Sequence, residues 1–430
     1  MRRKALDLLK EWKDSPARKP LLLRGARQVG KTWLLKEFGK DSYENLVYFN
    51  FDEDEDLKTI FESSKNSNRI IDLLSMIAGK SILPGKTLIV FDEIQECPEA
   101  LNSLKYFKET APEYHIAVAG SLLGSLLAEP KSFPVGMVNI VNLGPLDFEE
   151  FLEAANPSLY SYYQTIEKGS SIPDIFHKRL LEAFDNYLII GGMPEAVASW
   201  TEFHDPDAVY RVQKELLSLY ENDIGKYNGK IDAGRILLVY RSLVSQLAKP
   251  NEKFVYGVVK EGARAREFER AVEWLVASGL VLRVHNLSKI EQPLPAYDKL
   301  DQFKLFFFDV GLLKSMAGVD NRAIILNSDF QFKGPLAENY VLEQLLPQFE
   351  VGPRYYSDQK GELDFVLQDG MDVVPVEVKA GEDKNSPSFK RYIATSHPKI
   401  AIRFSRMGYR KDGEITNIPL YLAAKARKLI

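Results

Sequence analysis

An α/β fold opening on a parallel, doubly wound sheet is what the first 145 residues predict. Three observations carry this expectation. Short apolar runs alternate with helical patterns. The stretch "RGARQVGKT" follows the first apolar run and opens the first helix. The third run ends in two acids, Asp92 and Glu93.

The elements follow in order. "PLLLRG" (20–25) is a short apolar strand that stops at Gly25, and "KTWLLKEFG" then reads as a helix closing on Gly39. "NLVYFNFDE" (45–53), "KTLIVFDE" (86–93), "HIAVAGS" (115–121) and "MVNIVNL" (137–143) supply four more strands. The run before Asp92 is apolar without alternation, as expected of a strand covered on both faces. "GPLDFEEFLEAAN" opens a helical region, expected to form a lid over 146–228. "DAGRILLVYRSLVSQLA" and "YGVVKEGARAREFERAVEWLVASGLVLRV" read as helices, a turn and a strand. With "KLFFFDVGLL" as the returning strand, they suggest a winged helix-turn-helix over 229–325. From 326 to 430 the pattern changes to helix "PLAENYVLEQLL", hairpin "ELDFVLQDGMDVVPVEVKAG", a further helix and strands. Asp369–Gly370 mark the hairpin turn.

Composition narrows the class. With 430 residues, several domains are expected. Hydrophobic residues make up 45% and charged residues 27%, as in water-soluble globular chains. The single cysteine, Cys97, leaves no internal disulfide, and the five histidines show no zinc-ligand spacing. The N-terminus reads as a charged amphipathic helix, not a signal peptide, and no uncharged run reaches membrane-spanning length. A cytoplasmic location with no membrane partner is the expectation.

Gly25, Gly30, Lys31 and Thr32 fill the pattern GxxxxGK[ST]. The chemistry needs these residue types. Backbone amides of Gly25, Ala26, Arg27, Gln28, Val29 and Gly30 turn toward phosphate, and the helix beginning near Lys31 directs its positive end there. Lys31 neutralises the outer phosphates, and the Thr32 hydroxyl ligates Mg²⁺. Asp92 is expected to hold that Mg²⁺ through water and Glu93 to polarise the attacking water. Ser121, ending the fourth strand, is the candidate γ-phosphate sensor. ATP and Mg²⁺ are the expected cofactors. Arg24, Arg27, Arg211 and Arg235 are all candidates for the arginine that completes hydrolysis.

"LLLRGARQVGKT", "LIVFDEIQECP", "VAGSLLG", "FPVGMVNIVNLGPLDFEEFL" and "YLIIGGMPEAV" together resemble the bacterial and archaeal AAA-type ATPases that carry a conserved C-terminal domain of unknown function. The resemblance runs over nearly the whole chain. It implies an AAA-like core over 1–145, a helical lid, a winged helix and a restriction-endonuclease-like tail. "GGMP" also resembles the glycine-x-proline element of signalling NTPases, which implies that Pro194 touches the base. One departure is Met137, at a position often basic in the family.

In the tail, side-chain alternation puts Glu377 and Lys379 on one face of a strand, with Asp364 able to join them across the hairpin. The wet face of an amphipathic hairpin has the same pattern. With Glu338 on the preceding helix, the set looks like the PD-(D/E)XK nuclease arrangement. That likeness implies Mg²⁺ on Glu338, Asp364 and Glu377, with Lys379 stabilising charge. From His397 onward, eight lysines and arginines stand against two acids, on a chain of net charge −4. This favours double-stranded DNA as a partner of the tail and winged helix. In the candidate recognition helix, however, Arg264, Arg266 and Arg270 are offset by Glu267, Glu269 and Glu273, which leaves a protein partner open. A homo-oligomer is compatible with this class. The alternative to a DNA-acting ATPase is a slow nucleotide-dependent switch whose tail docks a protein.

Overall fold

The computed structural model describes residues 1–120, 136–226, 232–249, 252–359, 361–383 and 385–430. It divides into two compact units: Met1–Gly144 with Glu273–Leu280, and Pro145–Val272 with Val281–Ile430.

In the first unit, strands β1 (Leu21–Arg24), β2 (Asn45–Asn50), β3 (Thr87–Asp92), β4 (His115–Ala119) and β5 (Asn139–Asn142) form one sheet in the order β2-β3-β4-β1-β5. Every pairing is parallel. β3 and β4 are buried along their whole length, as their unbroken apolar sequences require. The core on one side contains Leu22, Ile89, Ile116, Leu104 and Phe107. Phe51, Phe61 and Phe91 meet edge to face within it, with centroids 5.5–5.6 Å apart. Helix Pro98–Thr110 starts on a proline at its first turn and buries Ala100, Leu101, Leu104 and Phe107, one apolar stripe at helical spacing. Burying Leu104 and Phe107 contributes about 2 kcal/mol each.

Two glycines in this unit are sterically required. Gly30 precedes helix Lys31–Ser42 with φ +91, a left-handed conformation. A Cβ on Gly25 would lie 2.1 Å from the Leu143 carbonyl oxygen, because the chain leaving β5 passes directly against it.

The second unit joins helices to a mixed sheet. Its strands are β6 (Val281–Leu287), β7 (Asp298–Phe307), β8 (Val351–Asp358), β9 (Gly361–Asp369), β10 (Asp372–Val378), β11 (Ala401–Ser405), β12 (Arg410–Asp412) and β13 (Ile415–Pro419), ordered β12-β13-β11-β10-β9-β8-β6-β7. β9 and β10 form the expected antiparallel hairpin, with Gly370 at φ +56 in its turn. Helices Ala233–Leu247 and Tyr256–Val259 precede the antiparallel pair β6–β7 in this unit. β6 also pairs with β8 through Asn286 and Tyr355, so β6 and β7 extend the tail's sheet.

The helices expected as a lid pack on the tail region. Tyr340, on helix Lys333–Leu345, meets Phe148 at 6.4 Å and Tyr187 at 5.6 Å between centroids. Arg406 reaches Asp185 through two hydrogen bonds of 2.6 and 2.7 Å, both residues being buried. The "GGMP" stretch is shaped inside this unit. A Cβ on Gly192 would stand 2.0 Å from the Leu146 carbonyl oxygen, and the Gly192 amide donates to Asp309 at 2.7 Å. Pro194 takes the first position of helix Pro194–Phe203.

Candidate functional site

In the first unit the chain leaves β1 at Arg24, turns through Gln28 at φ +66 and Gly30, and enters helix Lys31–Ser42. The amides of that first turn have no intrahelical partners and point out of the helix end. Lys31 is buried and folds back on the loop, donating to the carbonyls of Gly25 at 3.0 Å and Ala26 at 2.7 Å. Burial pushes its pKa down to about 8, against the opposing pull of Glu93 and Asp92. Arg3 staples the same loop from the N-terminal segment: it donates to Val29 O at 2.9 Å and Gly144 O at 2.7 Å.

Asp92 ends β3 and is buried. The Thr32 hydroxyl donates to its Oδ2 at 2.6 Å, the Tyr48 hydroxyl to the same oxygen at 2.9 Å, and the Glu93 amide to its Oδ1 at 3.0 Å. Burial first, and Asp92 second, raise the Tyr48 hydroxyl pKa, so Tyr48 stays a donor. Glu93 sits at φ +48, and the Gln95 amide donates to its carboxylate. Oxygen donors from Thr32 and Asp92 thus meet at one point beside the lysine, which suits a hard cation such as Mg²⁺. Tyr48, Gln95 and Arg3 were not singled out from sequence. The available signal for Tyr48 was its place on β2, the strand beside β3. Ser121 lies outside the described residues. Of the candidate arginines, Arg24 donates to Ala277 O within this unit, while Arg211 and Arg235 pair with Asp205 and Asp232 in the other.

The second unit holds a second polar centre. Glu338, Asp364, Glu377 and Lys379, selected from sequence, line one cavity of about 260 Å³. This face is not a wet one, since Glu377 is only 6% exposed. The Val378 amide donates to Asp364 at 2.6 Å, and Lys379 pairs with Glu377 at 2.9 Å. Three further residues complete the centre. Lys304, on β7 and 2% exposed, pairs with Glu362 at 2.6 Å, Glu252 at 3.3 Å and Glu338 at 3.5 Å. Sequence reasoning missed Lys304 and Glu252 because they lie outside the tail, and the β6–β8 pairing brings β7 close; Glu362, on β9, shares the face of Asp364 by strand alternation, the signal that could have found it.

Five carboxyls therefore surround two ammonium groups. Burial, then the neighbouring Glu338 and Glu377, raise the Asp364 pKa well above the usual carboxylate range. Burial and Glu338 push Glu252 up to about 9. Burial alone would lower Lys304, but Glu338, Glu252 and Glu362 outweigh it and hold the ammonium charged. The donor chemistry suits a divalent cation, yet the arrangement does not: among the described residues no three Asp, Glu, His or Cys side chains are disposed to hold a metal ion.

Several cations of the basic tail are engaged within the fold. Arg403 is buried against Asp412, Arg406 against Asp185, and Lys425 against the carbonyls of Tyr163, Gln164 and Ile166. Lys399, Arg410 and Arg427 pair with Asp372, Asp412 and Asp369. Part of the surplus counted from sequence is therefore neutralised within the fold, while Lys399, Lys411, Arg427 and Lys428 remain exposed. Among the described residues no helix is long and apolar enough to cross a membrane.

Comparison with known proteins agrees with the first unit's geometry. Residues 17–152 match the model of an AAA domain, and residues 181–323 and 333–422 match two domains of unknown function. An uncharacterized protein of Methanocaldococcus jannaschii is 28% identical over 204 residues, which is 47% of this chain but only 40% of that protein's length. Among solved structures, the Walker-type ATPase of Pyrococcus abyssi is 15% identical, covers 74% of this chain and 95% of its own, and has a TM-score of 0.48. The ORC1 protein of Aeropyrum pernix, solved in complex with DNA, is 13% identical over 75% of this chain and 92% of its own, with a TM-score of 0.29. Residues 17–152 thus match an AAA domain on a parallel α/β sheet of the P-loop ATPase fold, and a mixed sheet follows it in the chain.

Proposed function

We propose that the N-terminal unit binds and hydrolyses Mg²⁺-ATP, and that nucleotide state controls what the C-terminal unit engages. The observation that carries this is the meeting of Lys31, Thr32 and Asp92 at the ends of β1 and β3. Loop amides and Lys31 would bind the phosphates, Lys31 exchanging the Gly25 and Ala26 carbonyls for phosphate oxygens. Thr32 and Asp92 would hold the magnesium, which neutralises charge on the phosphates when bound. Glu93 would orient the attacking water, with Gln95 fixing its carboxylate. Pro194 is proposed to reach the base and Ser121 the γ-phosphate, both from the family resemblance.

The partner we propose first is double-stranded DNA, engaged by the winged-helix elements. The experiment is ATP turnover of the full chain with and without duplex DNA, beside Lys31→Ala. DNA-stimulated turnover lost in the variant supports the proposal; turnover indifferent to DNA removes the polymer from it. A second reading, a slow switch that docks a protein, is favoured by one observation: six basic residues of the tail are bound up in internal pairs. Retained nucleotide with near-zero turnover would support that reading.

A further inference from the structure

Lys304 is the least expected member of the C-terminal centre. It comes from β7, yet its ammonium sits among three glutamates supplied by a loop (Glu252), a helix (Glu338) and β9 (Glu362). Burying an ammonium this deeply is unfavourable unless carboxyl oxygens compensate it, and three glutamates surround this one. A second feature of the same cavity is independent of the acids. Ser386, 4% exposed, lines it, and its hydroxyl has no hydrogen-bond partner among the described residues. A buried hydroxyl without a partner is uncommon in a folded protein.

We propose that Lys304 is the resident cation of this centre, standing in for a divalent ion and excluding it. The inference rests on reading Glu338, Asp364 and Glu377 as a divalent-cation set. It goes beyond that reading by saying why the set is not disposed around a metal as it stands. The ammonium pairs at once with Glu252, Glu338 and Glu362 and so occupies the carboxylate oxygens that a divalent ion beside Asp364 would need. A divalent ion can enter only when β7 withdraws Lys304 or the lysine is removed. The nuclease-like region is then held closed by a side chain from the winged-helix region.

The test is manganese binding to the full-length chain without nucleotide, followed by the electron paramagnetic resonance of free Mn²⁺ and by melting temperature. Lys304→Met is expected to bind one additional Mn²⁺ at least roughly tenfold more tightly than wild type, and to melt higher in Mn²⁺ than in EDTA. Wild type should gain no such stabilisation. Lys304→Arg keeps the cation and should behave as wild type, which controls for disturbed folding. Adding Asp364→Asn to Lys304→Met should abolish the new site. If wild type and Lys304→Met bind Mn²⁺ equally, and Asp364→Asn removes both, the acid set is a metal site and the role of Lys304 is wrong. If neither binds while Lys304→Met remains folded, the acid set itself is not a metal site. Should Lys304→Met not fold, Lys304→Gln provides the same comparison with a neutral polar side chain.

Discussion

The Thr32 hydroxyl donates to Asp92 Oδ2 across 2.6 Å, joining two residues sixty positions apart in the chain. One opens the helix after β1 and the other closes β3. No local rule requires a threonine and an aspartate to meet there. A Mg²⁺ shared by the two residues in a nucleotide-bound state, as proposed above, would.

Thr32→Ala and Asp92→Asn should therefore both lower ATP turnover by roughly a hundredfold or more, while leaving the fold intact. Thr32→Ser keeps the hydroxyl and should retain most activity. Turnover measured against Mg²⁺ concentration checks this: the lesion should appear as a higher magnesium requirement in Thr32→Ala.

Lys31 makes ATP affinity pH-dependent. Its pKa in the empty site is about 8, well below the lysine norm. The ammonium that pairs with phosphate is lost above that value, so affinity should fall by up to about tenfold per pH unit beyond pH 8. Stability moves the opposite way. A lysine whose folded pKa is lowered destabilises the fold at low pH, and that penalty is relieved as pH rises from about 8 toward the unfolded value. Calorimetric titration from pH 7 to 9.5 should show this weakening in wild type and a flatter profile in Lys31→Arg, whose guanidinium stays charged over that range.

Asp309 is fully buried, and burial pushes its pKa up to about 6, against the amides of Leu312, Gly192 and Gly311. A carboxyl raised in the folded state stabilises the fold only while protonated. Its contribution is complete below the unfolded pKa and is lost as pH rises through about 6, on the order of 3 kcal/mol in all. Asp309→Asn should remove that part of the pH dependence, read as the difference in urea midpoint between pH 4.5 and 7.5.

Gly25→Ala should destabilise the first unit by roughly 2–4 kcal/mol, because its Cβ would strike the Leu143 carbonyl. The phosphate loop would shift with it. Thermal melting and ATP affinity should both report the change, whereas Gly79→Ala, at an open helix end, should report only the mild strain of its left-handed backbone.

Arg406→Met should cost roughly 3–5 kcal/mol, since it leaves Asp185 buried and unpaired. The double variant Arg406→Met with Asp185→Leu should recover most of that loss. A thermodynamic cycle in denaturant measures the coupling directly.

The sheet of the first unit was legible because apolar runs such as that before Asp92 have one stable use, a strand covered on both faces. The phosphate loop was legible for a similar reason: Gly25 and Gly30 are demanded by the backbone itself. What sequence hid depended on long-range pairing. Tyr48 meets Asp92 only because β2 lies beside β3. Lys304 enters the acid centre only because β6 joins β8 across the expected boundary near residue 325. Charge counting could not tell which tail cations reach the surface: Arg403 and Arg406 are buried by the fold, whereas Lys399 and Lys411 are exposed.

The most direct test is titration of fluorescent ATP into the full-length protein in magnesium buffer, beside Lys31→Ala. Micromolar binding that needs Mg²⁺ and is lost in the variant is the predicted result. Equal titration curves for wild type and Lys31→Ala, or no binding by either, would contradict the account at its root.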